Sequence, residues 1–439
     1  MTDAALSQPT ICTIFAKNYL AHVRVLTESF LEQHPDGRVY ALLCDQLADA
    51  YAPERERFHT VQLSDIGLPG GLGLAMQYNI TEFCTAVKPF LLRYLFDSTP
   101  AQTLFYFDPD ILFAAPINGL LERLQTFNIV LTPHLTAGYD DDRTPTEHDI
   151  LATGAYNLGF IGLRRGEVGD AFLAWWSRKL LKHGYHDITH NQFVDQRWVD
   201  LAPGMYAGVY IERDPGCNVA YWSLPQRLLV RTPDGYTANG SPLKFFHFSG
   251  YSPLRPDEIS KYQNRLSIAQ LGNGEGLFQQ YAQLLAQQGY ECVRQWPYAY
   301  NRLSNGAPVS AVVRELWAEA SEAGKQWDDP FDAQSPGSFY QWMIEPIDAG
   351  LPVINRVARH AYEKRLDIQP IFPDIQKVYR RAYAEWFIKH GLEELELAPE
   401  LAANMIDSLR HSPPAPVMAR ATAWLRARLL QSLLPPQAE

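Results

Sequence analysis

The 439-residue sequence predicts an α/β fold: a mostly parallel mixed sheet with helices on both faces, followed by an α-helical C-terminal domain. Three observations predict this architecture. Before about residue 255, short apolar segments alternate with segments of helical spacing, and the apolar segments lack polar residues at every second position. Strands that are apolar on both faces are typical of parallel sheets covered on both sides. After about residue 256 only helical spacing recurs, so we predict domains at 1–255 and 256–439.

The first domain contains five predicted strands, at 11–16, 39–44, 103–107, 128–132 and 158–163. Helical spacing covers 18–33 and 82–96, and Pro89 either kinks the second helix or marks its true start. In the second domain, apolar residues spaced three and four apart predict helices at 277–288, 309–320, 353–364, 375–390 and 417–434.

The composition restricts the function. Asp and Glu total 49 against 38 Lys and Arg, a formal net charge of -11, which disfavours nucleic acid as a partner. The five cysteines form no C-x-x-C pair, a pattern that suits a reducing cytoplasm better than a disulfide framework or a cysteine zinc site. The sequence has no apolar run of roughly 18 residues and no signal-like N-terminus. We therefore expect a cytoplasmic protein.

The predicted helix at 417–434 carries Arg420, Arg426 and Arg428 beside leucines and Trp424. A basic amphipathic helix can lie on an anionic membrane, which would place the protein peripherally at the inner face. The alternative is that this helix packs on its own domain.

The most informative segment is Asp108-Pro109-Asp110, which leaves the end of an apolar predicted strand. Ligands in such sheets bind beyond the carboxyl ends of the strands. Carboxylates are preferred ligands of Mg²⁺ and Mn²⁺, which can neutralise a diphosphate leaving group. The D-x-D pattern at 140–142 lacks this setting and is interpreted as a solvated loop.

Together with several other motifs, this segment resembles the GT-A-fold glycosyltransferases that use a nucleotide-sugar donor, nearest to the retaining family-8-like group. The resemblance covers residues 10–255 and depends on the order and spacing of the motifs. These are the strand and turn at 13–19, the helix segment 85–90, Asp108-Pro109-Asp110, Tyr156 to Phe160, Asp195-Gln196, and His247-Phe248-Ser249-Gly250.

The resemblance implies a role for each matching residue. Asp108, Asp110 and His247 would hold Mn²⁺ or Mg²⁺. A second group would form the donor site: Thr13, Ala16 and Asn18 against the nucleoside, with Phe107, Asp108 and Lys88, the last reaching the phosphate or sugar. Asn157, Asp195 and Gln196 would line the reaction centre. The family often has Lys-Pro-Trp after the His-Phe motif, whereas this sequence has residues 251–255, which makes Arg255 a candidate replacement.

Each of these residues also has a purely structural interpretation. Lys88 and the Asp195-Gln196 pair can be solvated helix residues, Asn157 a turn residue, and His247 a structural histidine.

The resulting prediction is a metal-dependent bacterial glycosyltransferase that moves a sugar from a nucleotide-sugar donor to a hydroxyl of a glycan or lipid-linked saccharide. The Asp195-Gln196 resemblance implies retention of anomeric configuration, although Asp195 acting as a base would support inversion. Two alternatives stay open. One is a sugar-phosphate nucleotidyltransferase, which would need a basic, glycine-rich first loop. The other is a glycan-binding protein with an inactive GT-A domain.

Overall fold

The computed structural model describes residues 8–47, 51–412 and 414. The chain divides into two compact units. The first consists of Met1–Gly71 and Ile80–Tyr298, and the second of Leu72–Asn79 and Ala299–Glu439.

The strands found among the described residues all lie in the first unit. Their bounds are β1 Thr10–Phe15, β2 Arg38–Leu43, β3 His59–Gln62, β4 Thr103–Phe107, β5 Ile111–Phe113, β6 Ile129–Pro133, β7 Tyr156–Arg164, β8 His186–Asp187, β9 Gln192–Phe193, β10 Val209–Ile211, β11 Leu229–Thr232, β12 Gly235–Ala238, β13 Ser241–Pro242 and β14 Phe245–His247.

The helices occur in both units. Their bounds are α1 Leu20–Gln33, α2 Gly73–Gln77, α3 Ile80–Ala86, α4 Lys88–Ser98, α5 Asn118–Thr126, α6 Glu147–Thr153, α7 Glu167–His183, α8 Gln196–Val199, α9 Ala202–Met205, α10 Gly276–Gln287, α11 Tyr290–Val293, α12 Ala311–Glu322, α13 Phe339–Ile344, α14 Arg356–Lys364, α15 Arg380–Trp386, α16 Leu392–Glu394 and α17 Ala403–Arg410.

The described residues of the first unit form a seven-stranded sheet in the order β10-β6-β7-β4-β1-β2-β3. Strand β7 runs antiparallel to both of its neighbours, and the other neighbouring pairs are parallel. Every residue of β1 and β4 is buried. Because successive side chains of a strand point to opposite faces, this burial means that both faces of the sheet are covered. The predicted mostly parallel mixed α/β sheet is therefore confirmed.

All five predicted strands are present in this sheet, with ends shifted by at most two residues. The predicted helix at 82–96 is two helices, α3 and α4, which are separated at Val87. Pro89 lies in the first turn of α4 and so marks a true helix start, because proline lacks only an N–H that has no partner there.

The described part of the second unit is helical, as predicted for the chain after about residue 256. Trp317 of α12 packs edge-on against Phe339 of α13, with ring centroids 5.0 Å apart. The predicted helix at 375–390 begins only at Arg380 and continues as one π-helical turn over Phe387–Gly391. Within the described ranges, no helix combines the length and the apolar character needed to cross a bilayer. The predicted helix at 417–434 lies outside the described residues.

The first compact unit continues to Tyr298, beyond the boundary predicted after residue 255. Residues 256–298 belong to the first unit because α10 completes its core, where the Tyr281 ring stacks on the Phe248 ring at 3.7 Å between centroids. As a division of function, the boundary between 1–255 and 256–439 stays a prediction.

Candidate functional site

The candidate site lies at one edge of the sheet, where three central strands bring their polar ends together. Strands β1 and β4 are parallel neighbours, so the segment after Phe15 and the segment after Phe107 emerge at the same edge. Strand β7 is antiparallel to β4 and therefore begins at this edge, near Asn157. The backbone N–H of Asp108 donates to the carbonyl of Gly159 at 2.8 Å, which extends the pairing beyond β4.

His247 reaches the Asp108–Asp110 turn through a second pair of strands. Strands β5 and β14 are antiparallel, and His247 lies opposite Ile111, the residue directly after Asp110. The backbone N–H of Phe248 donates to the carbonyl of Asp110 at 2.9 Å. The pairing therefore joins two segments that are more than a hundred positions apart in sequence.

The side chains of Asp108, Asp110 and His247 converge on one point. His247 Nε2 lies 3.1 Å from Asp110 Oδ1 and 3.7 Å from Asp108 Oδ2. One ligand atom from each residue lies within 4.8 Å of the other two. The Tyr106 hydroxyl donates to Asp108 Oδ1 at 2.7 Å and holds that carboxylate at the end of β4.

The electrostatics of the site favour a positive charge beside its two carboxylates. Burial lowers the pKa of His247, but Asp110 and Asp108 outweigh burial and raise it above the ordinary histidine value. Burial raises the pKa of Asp110, but the neighbouring His247 outweighs it and holds this pKa below its ordinary value. Either a proton on His247 or a bound cation relieves the repulsion between the two carboxylates. Two carboxylates and an imidazole are a donor set that suits Mn²⁺ or Mg²⁺, so these residues fit such an ion.

Behind the metal candidates lies a group of buried polar side chains that includes Asn157 and Gln196. Asn157 Oδ1 lies 3.2 Å from His247 Nδ1, and Asn157 Nδ2 lies 3.3 Å from Gln196 Oε1. Gln196 Nε2 donates to the Thr153 carbonyl at 2.8 Å, and the Leu158 N–H donates to Gln196 Oε1 at 3.0 Å. The oxygen and the nitrogen of the Gln196 amide thus each bond to the backbone near the start of β7.

Lys88 and Asp195 form a buried ion pair. Lys88 Nζ lies 2.5 Å from Asp195 Oδ2, donates to the Leu158 carbonyl at 2.7 Å, and lies 4.1 Å above the Tyr106 ring centroid. Burial raises the pKa of Asp195 to about 6, although Lys88 acts against this shift. The interpretation of Lys88, Asp195 and Gln196 as solvated helix residues is therefore wrong, since all three are buried.

A cavity of about 520 Å³ opens in front of the metal candidates. Its lining includes five of the residues named from the sequence, namely Ala16, Asn18, Asp108, Asp110 and Arg255. Thr13 and Phe107 are fully buried and lie outside this lining; Phe107 packs among the rings of Phe113, Phe160 and Phe245. Lys88, Asn157, Asp195, Gln196 and His247 lie behind the cavity wall and not among its lining residues.

The cavity wall also contains aromatic residues that the sequence analysis missed: Tyr19, His22, Tyr106, Tyr262, Tyr281 and Tyr290. The Tyr19 and His22 rings stack at 4.5 Å. Their spacing of three residues after the first strand was a usable signal, because it places both on one side of the helix that begins there.

Two cations line the cavity, Arg255 and Lys261. Arg255 forms an ion pair with Glu258 at 2.9 Å, whereas no carboxylate of the described residues pairs with Lys261. The Lys261 N–H donates to the Gly250 carbonyl at 3.1 Å. A Cβ on Gly250 would lie 2.5 Å from Ser260 Oγ, so glycine allows the Lys261 segment to approach the turn after His247. This contact left no signal in the sequence pattern.

No protein-family model matches the sequence. Two proteins of Bacillus subtilis (strain 168), both named as uncharacterized, are similar to it. YfnF is 24% identical over 257 residues, which cover 57% of this chain and 84% of YfnF. YfnD is 24% identical over 255 residues, which cover 56% of this chain and 79% of YfnD.

Several solved structures are also similar. The galactosyltransferase LgtC with donor and acceptor sugar analogs has a TM-score of 0.38 and 17% identity, over 66% of this chain and 97% of LgtC. The glycosyltransferase GlyE of Streptococcus pneumoniae TIGR4 has a TM-score of 0.39 and 12% identity, over 67% of this chain and 66% of GlyE. Similarity at this level assigns the chain to no family, and the family-8-like assignment stays a prediction.

Proposed function

We propose that the protein is a metal-dependent glycosyltransferase that moves a sugar from a nucleotide-sugar donor to a hydroxyl of a glycan or lipid-linked saccharide. The observation that carries this proposal is the convergence of Asp108, Asp110 and His247, the first two of which line the cavity of about 520 Å³. The volume falls within the range of small-molecule sites. The motifs of the sequence support the same function by resemblance.

The residues in and around the cavity wall suit a nucleoside diphosphate sugar. A divalent ion held by Asp108, Asp110 and His247 would neutralise charge on the leaving diphosphate. Arg255 and Lys261, which follow the His247 motif in the chain, also line the cavity and would supply positive charge to the same phosphates. The rings of Tyr19 and Tyr290 offer flat apolar surfaces for a base or a sugar.

For the reaction centre, we propose that Asp195 and Gln196 act from behind the cavity wall. The Asp195 carboxylate is buried and paired with the Lys88 ammonium at 2.5 Å, so it is not free to take a proton from an acceptor hydroxyl in the cavity. Gln196 is an amide and cannot act as a base. These properties support retention of anomeric configuration, which remains part of the proposal.

The nucleotidyltransferase alternative receives less support. The turn after β1 contains one lysine, Lys17, and its ammonium forms a buried ion pair with Asp45 at 3.3 Å. Because its ammonium is paired with Asp45, Lys17 is not available to bind a triphosphate. The alternative of an inactive glycan-binding protein is disfavoured by the complete Asp108, Asp110 and His247 set.

The test has two stages. Nucleotides and nucleotide sugars are first screened with Mn²⁺ by thermal shift, since a ligand of the folded state raises the melting temperature. The donor found is then supplied with oligosaccharide and lipid-linked saccharide acceptors, and the product is analysed by mass spectrometry. Sugar transfer that requires Mn²⁺ supports the proposal. Release of pyrophosphate from a nucleoside triphosphate and a sugar phosphate would establish the nucleotidyltransferase instead, and glycan binding without nucleotide binding would establish the inactive protein.

For the stereochemistry, NMR of the first-formed product gives the anomeric coupling for comparison with that of the donor. Opposite configurations would overturn retention and make Asp195 the leading base. A cytoplasmic location and contact with the membrane through residues 417–434 stay predictions.

A further inference from the structure

We propose that Asn157 is a positioning residue that holds the proton of His247 on Nδ1 and thereby leaves Nε2 free for the divalent cation. This inference rests on the metal role in the proposed function. It moves Asn157 from the sugar-contacting role that the resemblance implies to a place behind the metal ligands. Asn157 is buried and lies outside the cavity lining, in keeping with such a role.

Two hydrogen-bond donors identify which end of the Asn157 amide is the oxygen. The backbone N–H of Gly159 lies 3.2 Å from Asn157 Oδ1, and a backbone N–H can only donate. The amide nitrogen of Asn218 donates to the same oxygen at 3.0 Å and to Thr132 Oγ1 at 2.8 Å. The atom of Asn157 that faces these two donors is therefore the oxygen.

Two hydrogen-bond acceptors at the other end of the Asn157 amide identify that end as the nitrogen. Asn157 Nδ2 lies 3.3 Å from Gln196 Oε1, which is identified as oxygen because it accepts the Leu158 N–H. Asn157 Nδ2 also lies 3.3 Å from His134 Nε2. His134 Nδ1 lies 2.8 Å from the Gly154 carbonyl, so Nδ1 carries the proton and Nε2 accepts. Donors and acceptors at both ends thus agree on one orientation.

The tautomer of His247 follows from this orientation. His247 Nδ1 lies 3.2 Å from Asn157 Oδ1, an atom that only accepts, so Nδ1 must donate. A neutral His247 then has its lone pair on Nε2, which faces Asp110 Oδ1 and Asp108 Oδ2. In this neutral form three electron-pair donors would face one another, and Asp108, Asp110 and His247 would together hold a divalent cation. Fixing a histidine tautomer through the nitrogen that does not bind metal is a general means of preparing a metal ligand.

The backbone at Gly159 contributes to the same arrangement. A Cβ at this position would lie 2.3 Å from His247 Cε1 and 2.8 Å from Asn157 Oδ1. Glycine therefore lets the imidazole pack directly over the start of β7, within reach of the Asn157 oxygen.

The direct test is NMR of the wild-type protein with ¹⁵N-labelled histidine rings, loaded with diamagnetic Mg²⁺. Two-bond ¹H–¹⁵N correlations distinguish a proton on Nδ1 from one on Nε2, and the variant His247→Gln identifies the signals of His247 among the 12 histidines. We expect the proton on Nδ1. A metal-free sample, recorded at a pH at which His247 is neutral, is expected to show the same tautomer. A proton on Nε2 in the metal-free neutral ring would overturn the inference.

Two substitutions test the contact itself, with Mn²⁺ affinity measured by electron paramagnetic resonance in the absence of any donor or acceptor. Asn157→Leu removes the accepting oxygen and should weaken Mn²⁺ binding by about 10–100-fold, the usual cost of losing an outer partner of a ligand. Asn157→Asp keeps an oxygen toward His247 and should bind Mn²⁺ at least as tightly as wild type.

A folded Asn157→Leu protein with wild-type Mn²⁺ affinity, or an equal loss in both variants, would contradict the inference. If Asn157→Leu does not fold, the wild-type NMR spectra still show which nitrogen of His247 carries the proton. If wild type binds no Mn²⁺, the proposed function fails, and the metal-free spectrum still tests the tautomer separately.

Discussion

The ammonium of Lys88 and the carboxylate of Asp195 lie 2.5 Å apart inside the first unit, where their side chains are only 1% and 2% exposed. The pair joins the start of α4 to the residue that precedes α8. Removing one member of a buried pair of this kind destabilises the fold, because the other member is left as a buried charge without compensation.

We first predict that Lys88→Met is destabilised in a pH-dependent manner. At pH 8, the loss should be about 3 kcal/mol of unfolding free energy, because the Asp195 carboxylate is left buried without its partner. The pKa of Asp195 is raised to about 6, so the stability linked to this carboxyl is fully present below its unfolded pKa and lost as pH rises through about 6. Without Lys88 this pKa rises further, and the difference from wild type should shrink toward pH 5.

Urea unfolding from pH 5 to pH 8 measures this difference. Lys179→Met is a suitable control, because Lys179 contacts the Trp198 ring and has no ion pair among the described residues. A difference between Lys88→Met and wild type that does not vary with pH would contradict the prediction.

The second prediction concerns the metal ligands. Asp110→Asn should weaken Mn²⁺ binding by more than about 100-fold, a larger loss than that of an outer partner, and should abolish sugar transfer. The chain offers a matched control in Asp142→Asn, which alters an exposed carboxylate of the second D-x-D segment. Titration calorimetry with Mn²⁺ measures the affinity. Equal affinity in the two variants would exclude Asp110 as a ligand.

The third prediction is the pH dependence of Mn²⁺ binding. A proton and a metal ion compete for Nε2 of His247, and the two carboxylates raise the pKa of this residue. Mn²⁺ affinity should therefore fall as pH drops through the raised pKa, by up to about tenfold per pH unit for one proton. In His247→Gln this steep dependence should disappear. A pH dependence that survives in this variant would assign the proton to another group.

The fourth prediction separates the two cations of the cavity. Lys261→Gln should weaken binding of a nucleoside diphosphate with Mn²⁺ by about tenfold, because a hydrogen bond to a charged group is lost from a site open to solvent. Arg255→Gln should have a smaller effect, since Glu258 already engages this guanidinium. Calorimetry with UDP and GDP gives both values, and the corresponding nucleosides serve as controls that lack phosphate. Equal binding by wild type and Lys261→Gln would remove Lys261 from the phosphate site.

The fifth prediction concerns the boundary of the first unit. Tyr281→Ala removes a ring that stacks on Phe248 and should cost about 3–5 kcal/mol of unfolding free energy. Tyr281→Phe keeps the ring, and the lost hydroxyl has no hydrogen-bond partner among the described residues, so stability should be unchanged or slightly higher. Thermal unfolding compares the variants. Wild-type stability of Tyr281→Ala would show that α10 is dispensable for the core of the first unit.

Much of the first unit was predictable because its information is local. Continuous apolar segments predicted β1, β2, β4, β6 and β7 to within two residues, since a strand buried on both faces has no polar alternation. Pro89 correctly marked a possible helix start, because its geometric restriction acts within one turn. The position of Asp108 and Asp110 at a strand end was likewise readable from neighbours in the sequence.

The surroundings of the site depended on contacts between distant segments. Periodicity reports whether a side chain is buried but not which side chain it meets, so the buried pair of Lys88 and Asp195 was not foreseen. The approach of Lys261 to the turn at Gly250 depends on a missing Cβ and a close backbone contact, and neither has a periodic signature.

By itself, the sequence determined the class of fold, the strands and the two carboxylates at a strand end, because each depends on residues adjacent in the chain. The tertiary structure alone decided that His247 Nε2 faces these carboxylates and that Asn157 faces its Nδ1. Both contacts arise from the antiparallel placement of β7 beside β4 and of β14 beside β5. Strand order is set by which apolar surfaces pack together across the whole unit, and for that reason no single segment could specify it.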